Sequence, residues 1–207
     1  MKVKTLLLGN MQTNCYVVSD DDHHCFIVDP GDNGKKVIKY LNDNELILDA
    51  ILLTHGHFDH IGAVDYIYEH YHCPIYIHQE DIALLHDAKA NLSVFEVPFI
   101  VNAPVTASNE KMKVGNFEIN WLHLPGHCPG SSMIYLPKES VIFSGDVLFN
   151  GSIGRFDFPN SSKHDTSMSL SKIKEYDFDA PSVTPNSLPI VPPFVYPPET
   201  EALKEIL

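Results

Sequence analysis

Hydrophobic residues in the first half of the chain follow two different periods. Alternation over 15–18 and 26–28, on either side of a polar segment, predicts an opening β-hairpin or meander. Three apolar residues within 37–41 then recur at helical spacing, after a turn that can cap a helix. The near-continuous apolar run at 47–54 predicts a strand that is buried on both faces. These patterns together predict a sheet with a covering helix.

A short segment rich in polar residues, 55–60, comes directly after this buried strand. From 61 to 71, five apolar residues recur at helical spacing, which predicts a helix running away from the segment. Pro74 ends that helix, and the apolar residues 75–77 predict the next strand. The order strand, loop, helix, strand again indicates a sheet covered by a helix.

The second half of the chain repeats this theme with shorter strands. A hairpin turn is predicted at 114–117, followed by alternation over 117–121. Two further strands are predicted at 133–136 and 141–143, and the second ends in a Ser-Gly-Asp loop. Two β-rich halves, each ending in a loop with histidine or aspartate, predict a sandwich of two sheets.

The last part of the chain has a different composition. We predict a polar loop at 151–162 and a short helix at 167–176, capped by Asp165 or Thr166. Seven of the fifteen prolines then fall within 181–207, where neither a regular helix nor a central strand can form around them. We therefore expect one domain over 1–207, with an atypical proline-rich C-terminal segment at 181–207.

Charge and composition exclude several classes of function. The 207 residues include 14 basic and 27 acidic ones, for a net charge of −13, so binding to nucleic acid or to an anionic membrane surface is not expected. No apolar run reaches the ~20 residues of a membrane span, and polar residues 9–14 follow the basic start too soon for a secretion signal. We therefore expect a cytoplasmic protein whose four widely spaced cysteines are reduced.

Histidine is unusually frequent, with twelve in the chain, and the densest group follows the buried strand. His55 and His57 lie two residues apart at the end of an extended segment, so their side chains can point the same way. Asp59 and His60 lie where the chain turns into the helix and face another direction, so they are candidates for a second ion. Imidazole and carboxylate groups are the natural ligands of zinc and related metals.

Two more candidate ligands follow strands in the second half. His127 lies in a Pro-Gly-His turn directly after a strand, and Asp146 follows the strand at 141–143. A carboxylate has two oxygens and can bridge two ions. Each residue alone is more often a simple turn residue, but the group at 55–60 makes metal binding the better interpretation of both.

Three segments carry a resemblance to a known family. Thr-His-Gly-His-Phe-Asp-His at 54–60, Pro-Gly-His at 125–127 and Ser-Gly-Asp at 144–146 resemble the metallo-β-lactamase superfamily, and especially its glyoxalase II-like branch. The similarity covers most of the chain and includes Thr-Asn-Cys-Tyr at 13–16 and Val-Asp-Pro-Gly at 28–31. The resemblance implies an α+β fold, an αββα sandwich of two mixed β-sheets flanked by helices. It also implies two metal sites that share one bridging carboxylate. The ligands of the first site would be His55, His57 and His127. Those of the second would be Asp59 and His60, and Asp146 would bridge the two ions.

By the same resemblance, the protein is expected to hydrolyse small acyl-thioesters with water activated by one or two zinc ions, with iron or manganese as other possible metals. Asp59 is then also a catalytic residue. Two alternatives stay open: a catalytically weakened metal-binding protein of the same fold, and a mono-iron enzyme that oxidises persulfides. The expected partner is a small thioester or ester, and the missing secretion signal disfavours a secreted β-lactam hydrolase.

Some positions depart from the family or allow two interpretations. The family carries a last histidine near its C-terminus, in Pro-Gly-His-Gly-Pro, where this chain has Ser187, so we expect weak binding of a second ion.

Arg155 is a candidate for orienting substrate or for a structural ion pair. Cys128 is interpreted as a small buried residue rather than a nucleophile. His123 is either a partner of a ligand or a partly exposed strand residue, and His164 is a weak candidate to replace the missing histidine.

Overall fold

The computed structural model describes residues 1–149 and 151–176 of the chain. The proline-rich segment 181–207 and Ser187, on which two of the expectations depend, lie outside these residues. The strands of the described part are β1 Lys2–Leu8, β2 Thr13–Ser19, β3 His24–Val28, β4 Ile47–Leu53, β5 Ile75–Ile77, β6 Thr106–Ala107, β7 Lys111–Val114, β8 Phe117–His123, β9 Ser132–Leu136, β10 Val141–Phe143, β11 Leu148–Phe149 and β12 Ser152–Ile153. The α-helices are α1 Gly34–Asp43, α2 Phe58–Ile61, α3 Val64–Tyr71, α4 Ile82–Leu85 and α5 Lys163–Glu175.

The first sheet is mixed and has the strand order β1-β2-β3-β4-β5-β6. Strands β1 to β3 pair antiparallel, which confirms the predicted opening hairpin, and β3 to β6 pair parallel. Helix α1 connects β3 to β4, and α2 and α3 lie between β4 and β5. Because β3 and β4 are parallel neighbours, their carboxyl ends open at the same edge of the sheet.

The second sheet has the order β10-β9-β8-β7, and its described strands all pair antiparallel. The predicted turn between β7 and β8 consists of Gly115 and Asn116, with Gly115 at a φ of 54°. Such a left-handed conformation in a two-residue hairpin favours glycine. The short strands β11 and β12 form a separate two-stranded ribbon.

The side chains of β3 and β4 enter two different cores, which explains why the sequence of β4 is apolar on both faces. Ile27 and Ile51 belong to a core that includes Leu41 of α1 and Ile67 of α3. Their neighbours in the chain face the second sheet, where Phe26 packs edge-to-face on Phe117 at 5.2 Å between ring centroids. On the far side of the second sheet, Ile173 of α5 packs against a third apolar cluster. The αββα sandwich expected from the sequence is confirmed. Two mixed sheets were expected, whereas only the first is mixed in the described part, because the strands of the second pair with their neighbours along the chain and all run antiparallel.

One predicted helix is divided in the structure. The spacing over 61–71 predicted a continuous helix, whereas α2 ends at Ile61 and α3 begins at Val64. The amide of Ala63 donates to the carbonyl of Pro30, and a side chain at Gly62 would overlap the carbonyl oxygen of Gly31. The loop after β3 therefore holds the chain at this point, a contact that local spacing does not reveal.

The predictions also missed three local features. Strand β1 pairs along its whole length with β2, although the polar residues around it gave no prediction of a strand. The ribbon β11–β12 includes residues from a segment predicted as loop. Helix α5 begins at Lys163 rather than at 167. Its cap is Ser162, whose side chain accepts a hydrogen bond from the amide of Asp165, so both predicted caps were wrong.

No helix in the described part of the chain is both long and apolar enough to cross a membrane.

Candidate metal centre

The candidate ligands come from three segments of the chain that meet at one edge of the sandwich, and a fourth segment supplies a hydrogen-bond partner for them. The loop after β4 carries His55 and His57, the helix α2 that follows it carries Asp59 and His60, and the loop after β3 begins with the partner, Asp29. The second sheet contributes His127, between β8 and β9, and Asp146, between β10 and β11. The amide of Ser132 donates to the carbonyl of Thr54 at 3.0 Å, which joins the start of β9 to the end of β4. Both sheets therefore build the site.

Three imidazole rings form the first group of the site. The ring centroids of His55, His57 and His127 lie 4.6–4.9 Å from one another, and all three residues are buried. Nδ1 of His57 lies 2.9 Å from Nε2 of His127. Nε2 of His55 is buried and has no hydrogen-bond partner among the described residues, which is costly for a polar atom unless something else binds it. A metal ion would be bound by this nitrogen together with one ring nitrogen of His57 and one of His127.

A second group of donors lies beside the first. Nε2 of His60 is 3.5 Å from Oδ2 of Asp59 and 3.4 Å from Oδ1 of Asp146. The other oxygen of Asp146 lies 3.5 Å from Nε2 of His127. Ligands of one tetrahedral ion lie roughly 3.4 Å apart, because each is about 2.1 Å from the metal. Asp146 therefore has one oxygen at each group, as a bridging ligand requires.

The nitrogens that point away from the donor groups have partners of their own. The hydroxyl of Thr54 donates to Asp29 at 2.7 Å, so it can accept from Nδ1 of His55, 3.1 Å away. Asp29 also accepts from Nδ1 of His60 at 3.0 Å. A ligating histidine usually donates its other ring nitrogen in this way, which fixes its tautomer and orientation. The Nε2 atoms of His55 and His60 are thereby left to bind a metal.

His127 is oriented by the backbone of the loop that carries Arg155. Its Nδ1 donates to the carbonyl oxygen of Arg155 at 2.7 Å. The guanidinium of Arg155 makes two 2.8 Å hydrogen bonds to Asp157 and lies 4.5 Å above the ring of Phe158. Phe158 in turn packs edge-on against His57, with 5.3 Å between ring centroids. The side chain of Arg155 thus forms an ion pair, one of the two roles considered for it, and its contact with a candidate ligand is made by the main chain. A role of Arg155 in orienting substrate stays a prediction.

Burial and neighbouring charges set the protonation of the candidate ligands. Burial, together with the neighbouring imidazoles, holds the pKa values of His55 and His57 well below the ordinary range. Burial also lowers the pKa of His60, but nearby carboxylates, with Asp59 first among them, outweigh it and raise that pKa well above the ordinary value. The imidazolium of His60 lowers the pKa of Asp146 against the opposing effect of burial. At neutral pH, His55 and His57 therefore offer lone pairs, and Asp146 offers a carboxylate.

Several residues near the site were not predicted from the sequence. Thr13 donates to Oδ2 of Asp59 at 2.8 Å, and Asp81 accepts from the amides of two loops. Asp29 could have been found, because it follows a strand that the alternation predicts and that pairs with β4. Thr13 and Asp29 also lie in the segments 13–16 and 28–31 that resemble the family, but no role was predicted for either residue. Asp81 and Phe158 carried no signal, since their partners are distant in sequence.

The remaining candidates take other roles. Cys128 is fully buried, as expected, with Sγ 3.1 Å from Nε2 of His57, and burial raises the pKa of its thiol well above the usual value. It is therefore a protonated thiol rather than a nucleophile. His123 stacks on His78 at 3.7 Å between centroids, and its Nε2 lies 2.7 Å from the carbonyl of Pro129. His164 is exposed in the first turn of α5.

The sequence profile of the Metallo-beta-lactamase superfamily matches residues 8–180. The chain belongs to the metallo-β-lactamase superfamily. Its relatives in this superfamily include "Probable metallo-hydrolase YqgX" of Bacillus subtilis, which is 40% identical over 76% of each chain. Another is "Hydroxyacylglutathione hydrolase GloC" of Haemophilus influenzae, 34% identical over 77% of each chain. A place in the glyoxalase II-like branch of the superfamily agrees with these relatives.

Two solved structures of the superfamily are similar in fold and in sequence. The BLEG-1 B3 metallo-beta-lactamase superimposes with a TM-score of 0.78 and 38% identity, over 82% of this chain and 84% of that one. TTHA1623, solved in a di-iron-bound form, gives a TM-score of 0.72 and 37% identity, over 83% of this chain and 85% of that one. The chain thus has the fold of metallo-hydrolases, and its histidine and aspartate cluster supports a metal cofactor.

Proposed function

We propose that the protein is a metal-dependent hydrolase of small acyl-thioesters. In this proposal His55, His57 and His127 hold the first ion, Asp59 and His60 hold a second, and Asp146 bridges them. The observation that carries it is the convergence of these donors, in which Nε2 of His55 is buried and no residue of the described part of the chain hydrogen-bonds to it. Nitrogen and carboxylate donors suit zinc, iron and manganese. Zinc is our first choice, and the di-iron form of TTHA1623 makes iron the second.

The residues around the site would prepare it for hydrolysis. A metal held there would lower the pKa of water towards about 7 and would polarise the carbonyl of the substrate. Asp59 is more exposed than the candidate histidines, with 21% of its side chain accessible, so its carboxylate can reach both water and a bound substrate. Thr13 holds one oxygen of Asp59, which leaves the other oxygen to accept a proton from the attacking water.

A thioester is the substrate class that this arrangement suits best. Thiols have a pKa of about 8.5, so a thiolate can leave without first receiving a proton. The site needs no general acid for such a leaving group, whereas an amine would require one. The likeness to the hydroxyacylglutathione hydrolase of Haemophilus influenzae supports the same choice.

A side-by-side substrate assay tests the proposal. The protein is stripped with a chelator and reloaded with zinc, iron or manganese, and each form is given S-lactoylglutathione, simpler acyl-thioesters and β-lactams. We expect thioester hydrolysis that requires added metal. His57→Ala removes most metal and essentially all hydrolysis, whereas His70→Ala, which changes an exposed histidine of α3, keeps both. Wild-type metal content and activity in His57→Ala would refute the assignment.

β-Lactam hydrolysis is the second candidate function, because the similar BLEG-1 structure is that of a B3 metallo-beta-lactamase. We expect little or no such activity in this chain. Faster β-lactam than thioester turnover at saturating metal would make it the primary function. Full metal occupancy without any turnover would instead support the alternative of a weakened binding protein.

A further inference from the structure

Asp81 is a completely buried carboxylate outside the donor groups. It lies just before α4, with 0% of its surface exposed. Its Oδ2 accepts a hydrogen bond from the amide of Gly56 at 2.9 Å, and its Oδ1 accepts one from the amide of Gly130 at 2.5 Å. Both partners are backbone groups, so neither bond supplies a compensating positive charge.

The two amides belong to the two loops that carry the first donor group. Gly56 lies between His55 and His57, and Gly130 lies three residues after His127. One carboxylate therefore joins a loop of the first sheet to a loop of the second. The approach is close, because a side chain at Gly130 would lie 2.7 Å from both Cβ and Cγ of Asp81.

A buried carboxylate is costly to a fold unless its contacts compensate for the lost hydration. Burial raises the pKa of Asp81 to about 6, although the two amide bonds act in the opposite direction. Hydrogen bonds to an ionised oxygen are short and strong, and a carboxylate can accept one on each oxygen. A neutral residue of similar size could fill the space, but it could not accept from both amides.

We propose that Asp81 is a positioning residue of the metal centre, which sets the spacing of the two loops so that His55, His57 and His127 meet at one ion. Among the described residues, the hydrogen bonds of the Asp81 carboxylate go to the two backbone amides and to none of the three imidazoles. The inference rests on the proposed first metal site, and it is independent of which substrate the enzyme hydrolyses.

The test compares metal binding in Asp81→Asn and in two control variants. Asn has the shape of Asp, but its NH2 group replaces one of the two carboxylate oxygens. That group would face the amide of Gly56 or of Gly130 and cannot accept a hydrogen bond from it. Partners of metal ligands typically contribute 10–100-fold to metal affinity, so we expect a loss of that size in a competition with a chelator. We also expect a changed ligand-field absorption spectrum when cobalt replaces zinc, since the spectrum reports the arrangement of the ligands.

The controls separate positioning from a general effect on folding. Glu80→Gln removes the neighbouring carboxylate, whose side chain is 55% exposed, and should keep wild-type affinity and spectrum. Ile27→Val weakens the core of the first sheet without changing a candidate ligand or Asp81, and it should lower the melting temperature alone. If Asp81→Asn behaves like Ile27→Val, with wild-type affinity and cobalt spectrum, Asp81 has only a structural role and the inference is overturned.

A measurement on the unaltered, zinc-loaded protein keeps the inference testable if Asp81→Asn does not fold. The amide protons of Gly56 and Gly130 should exchange slowly with solvent by NMR, whereas that of Gly151, at an open turn, should exchange quickly. Fast exchange at Gly56 and Gly130 would overturn the inference. Retention of metal by His57→Ala would instead refute the metal site itself, and an absence of thioester hydrolysis would refute only the proposed substrate.

Discussion

At the scale of single residues, the site depends on groups that hold the candidate ligands in place. Asp29 is the clearest case, because its carboxylate contacts the amide and hydroxyl of Thr54 and Nδ1 of His60. It therefore orients one candidate ligand directly and another, His55, through the threonine. A single buried aspartate thus influences both donor groups.

Replacing Asp29 with alanine should reduce metal binding without removing any ligand. We expect affinity for the second ion to fall by about 10–100-fold, because Nδ1 of His60 loses its acceptor. Metal per chain, measured after dialysis at a fixed zinc concentration, would report the change. Asp32→Ala, which changes an exposed aspartate three residues along, serves as the control. Equal metal content in the two variants would contradict the role given to Asp29.

The ionisation of Asp81 should give the metal-free protein a distinctive dependence on pH. Its pKa is about 6 in the folded chain against 3.8 ordinarily, so the folded state holds this proton more tightly than the unfolded state. Stability from this group is therefore present below its ordinary pKa, and it is lost as the pH rises through 6. The loss amounts to at most about 3 kcal/mol.

Urea unfolding of the chelator-treated protein at several pH values would measure this effect. Between about pH 4 and about pH 6.5, the unfolding free energy of the wild type should fall relative to that of Asp81→Asn, because asparagine does not titrate. A difference that is constant over this range would show that Asp81 titrates as an exposed carboxyl does.

At the scale of elements, the short ribbon of β11 and β12 supports the loop that holds Asp146. Gly154 follows β12, and a side chain there would overlap the carbonyl oxygen of Asp146. Helix α5 contributes on the other side, where Ser169 donates to the carbonyl of Pro125 at 2.7 Å. Elements that hold no candidate ligand therefore fix two of the ligand loops.

Gly154→Ala should displace the Asp146 loop. We expect a loss of about 1–3 kcal/mol in unfolding free energy, because backbone has to move, together with a lower metal content. Gly151→Ala is the matched control: its glycine has a φ of 73°, so alanine is strained there, but nothing lies within 4 Å of the added carbon. Both variants should be destabilised, and metal content by elemental analysis should fall only in Gly154→Ala. A loss in both, or in neither, would contradict this assignment.

At the scale of the whole molecule, the candidate centre joins the two halves of the sandwich. The segment after β4 in the first sheet carries His55, His57 and, in α2, His60, and loops of the second sheet carry His127 and Asp146. An ion bound by both sets would couple the two sheets, in addition to the aromatic contacts between them. Metal binding should then stabilise the entire fold rather than one loop.

Zinc should therefore raise the thermal stability of the wild-type chain. A ligand that binds only the folded state contributes about 2.7 kcal/mol at a concentration 100 times its dissociation constant. Differential scanning calorimetry should show a melting temperature that rises with zinc and returns after chelation. In His57→Ala the shift should disappear, and an unchanged zinc effect there would place the stabilising ion elsewhere.

The candidate ligands and a sandwich of two sheets could be predicted from the sequence because local patterns indicate both, and the family resemblance added the αββα arrangement and the assignment of ligands to two sites. His55, His57, Asp59 and His60 lie within six residues after an apolar run, and strand spacing and donor chemistry are enough to select them. The covered sheet follows similarly from alternating and helical periods within short segments. The grouping of His127 and Asp146 with them was inferred from position after strands, and the structure places them together.

Only the tertiary structure decided what holds these ligands. The division of the helix at 62–63, the carbonyl of Arg155 at His127 and the two amides at Asp81 all involve backbone atoms from distant parts of the chain. Backbone groups are the same in every residue except proline, so a sequence carries no chemical mark of which carbonyl or amide a side chain will meet. The sequence determined which atoms can bind a metal, and packing of the two sheets determined how those atoms are oriented.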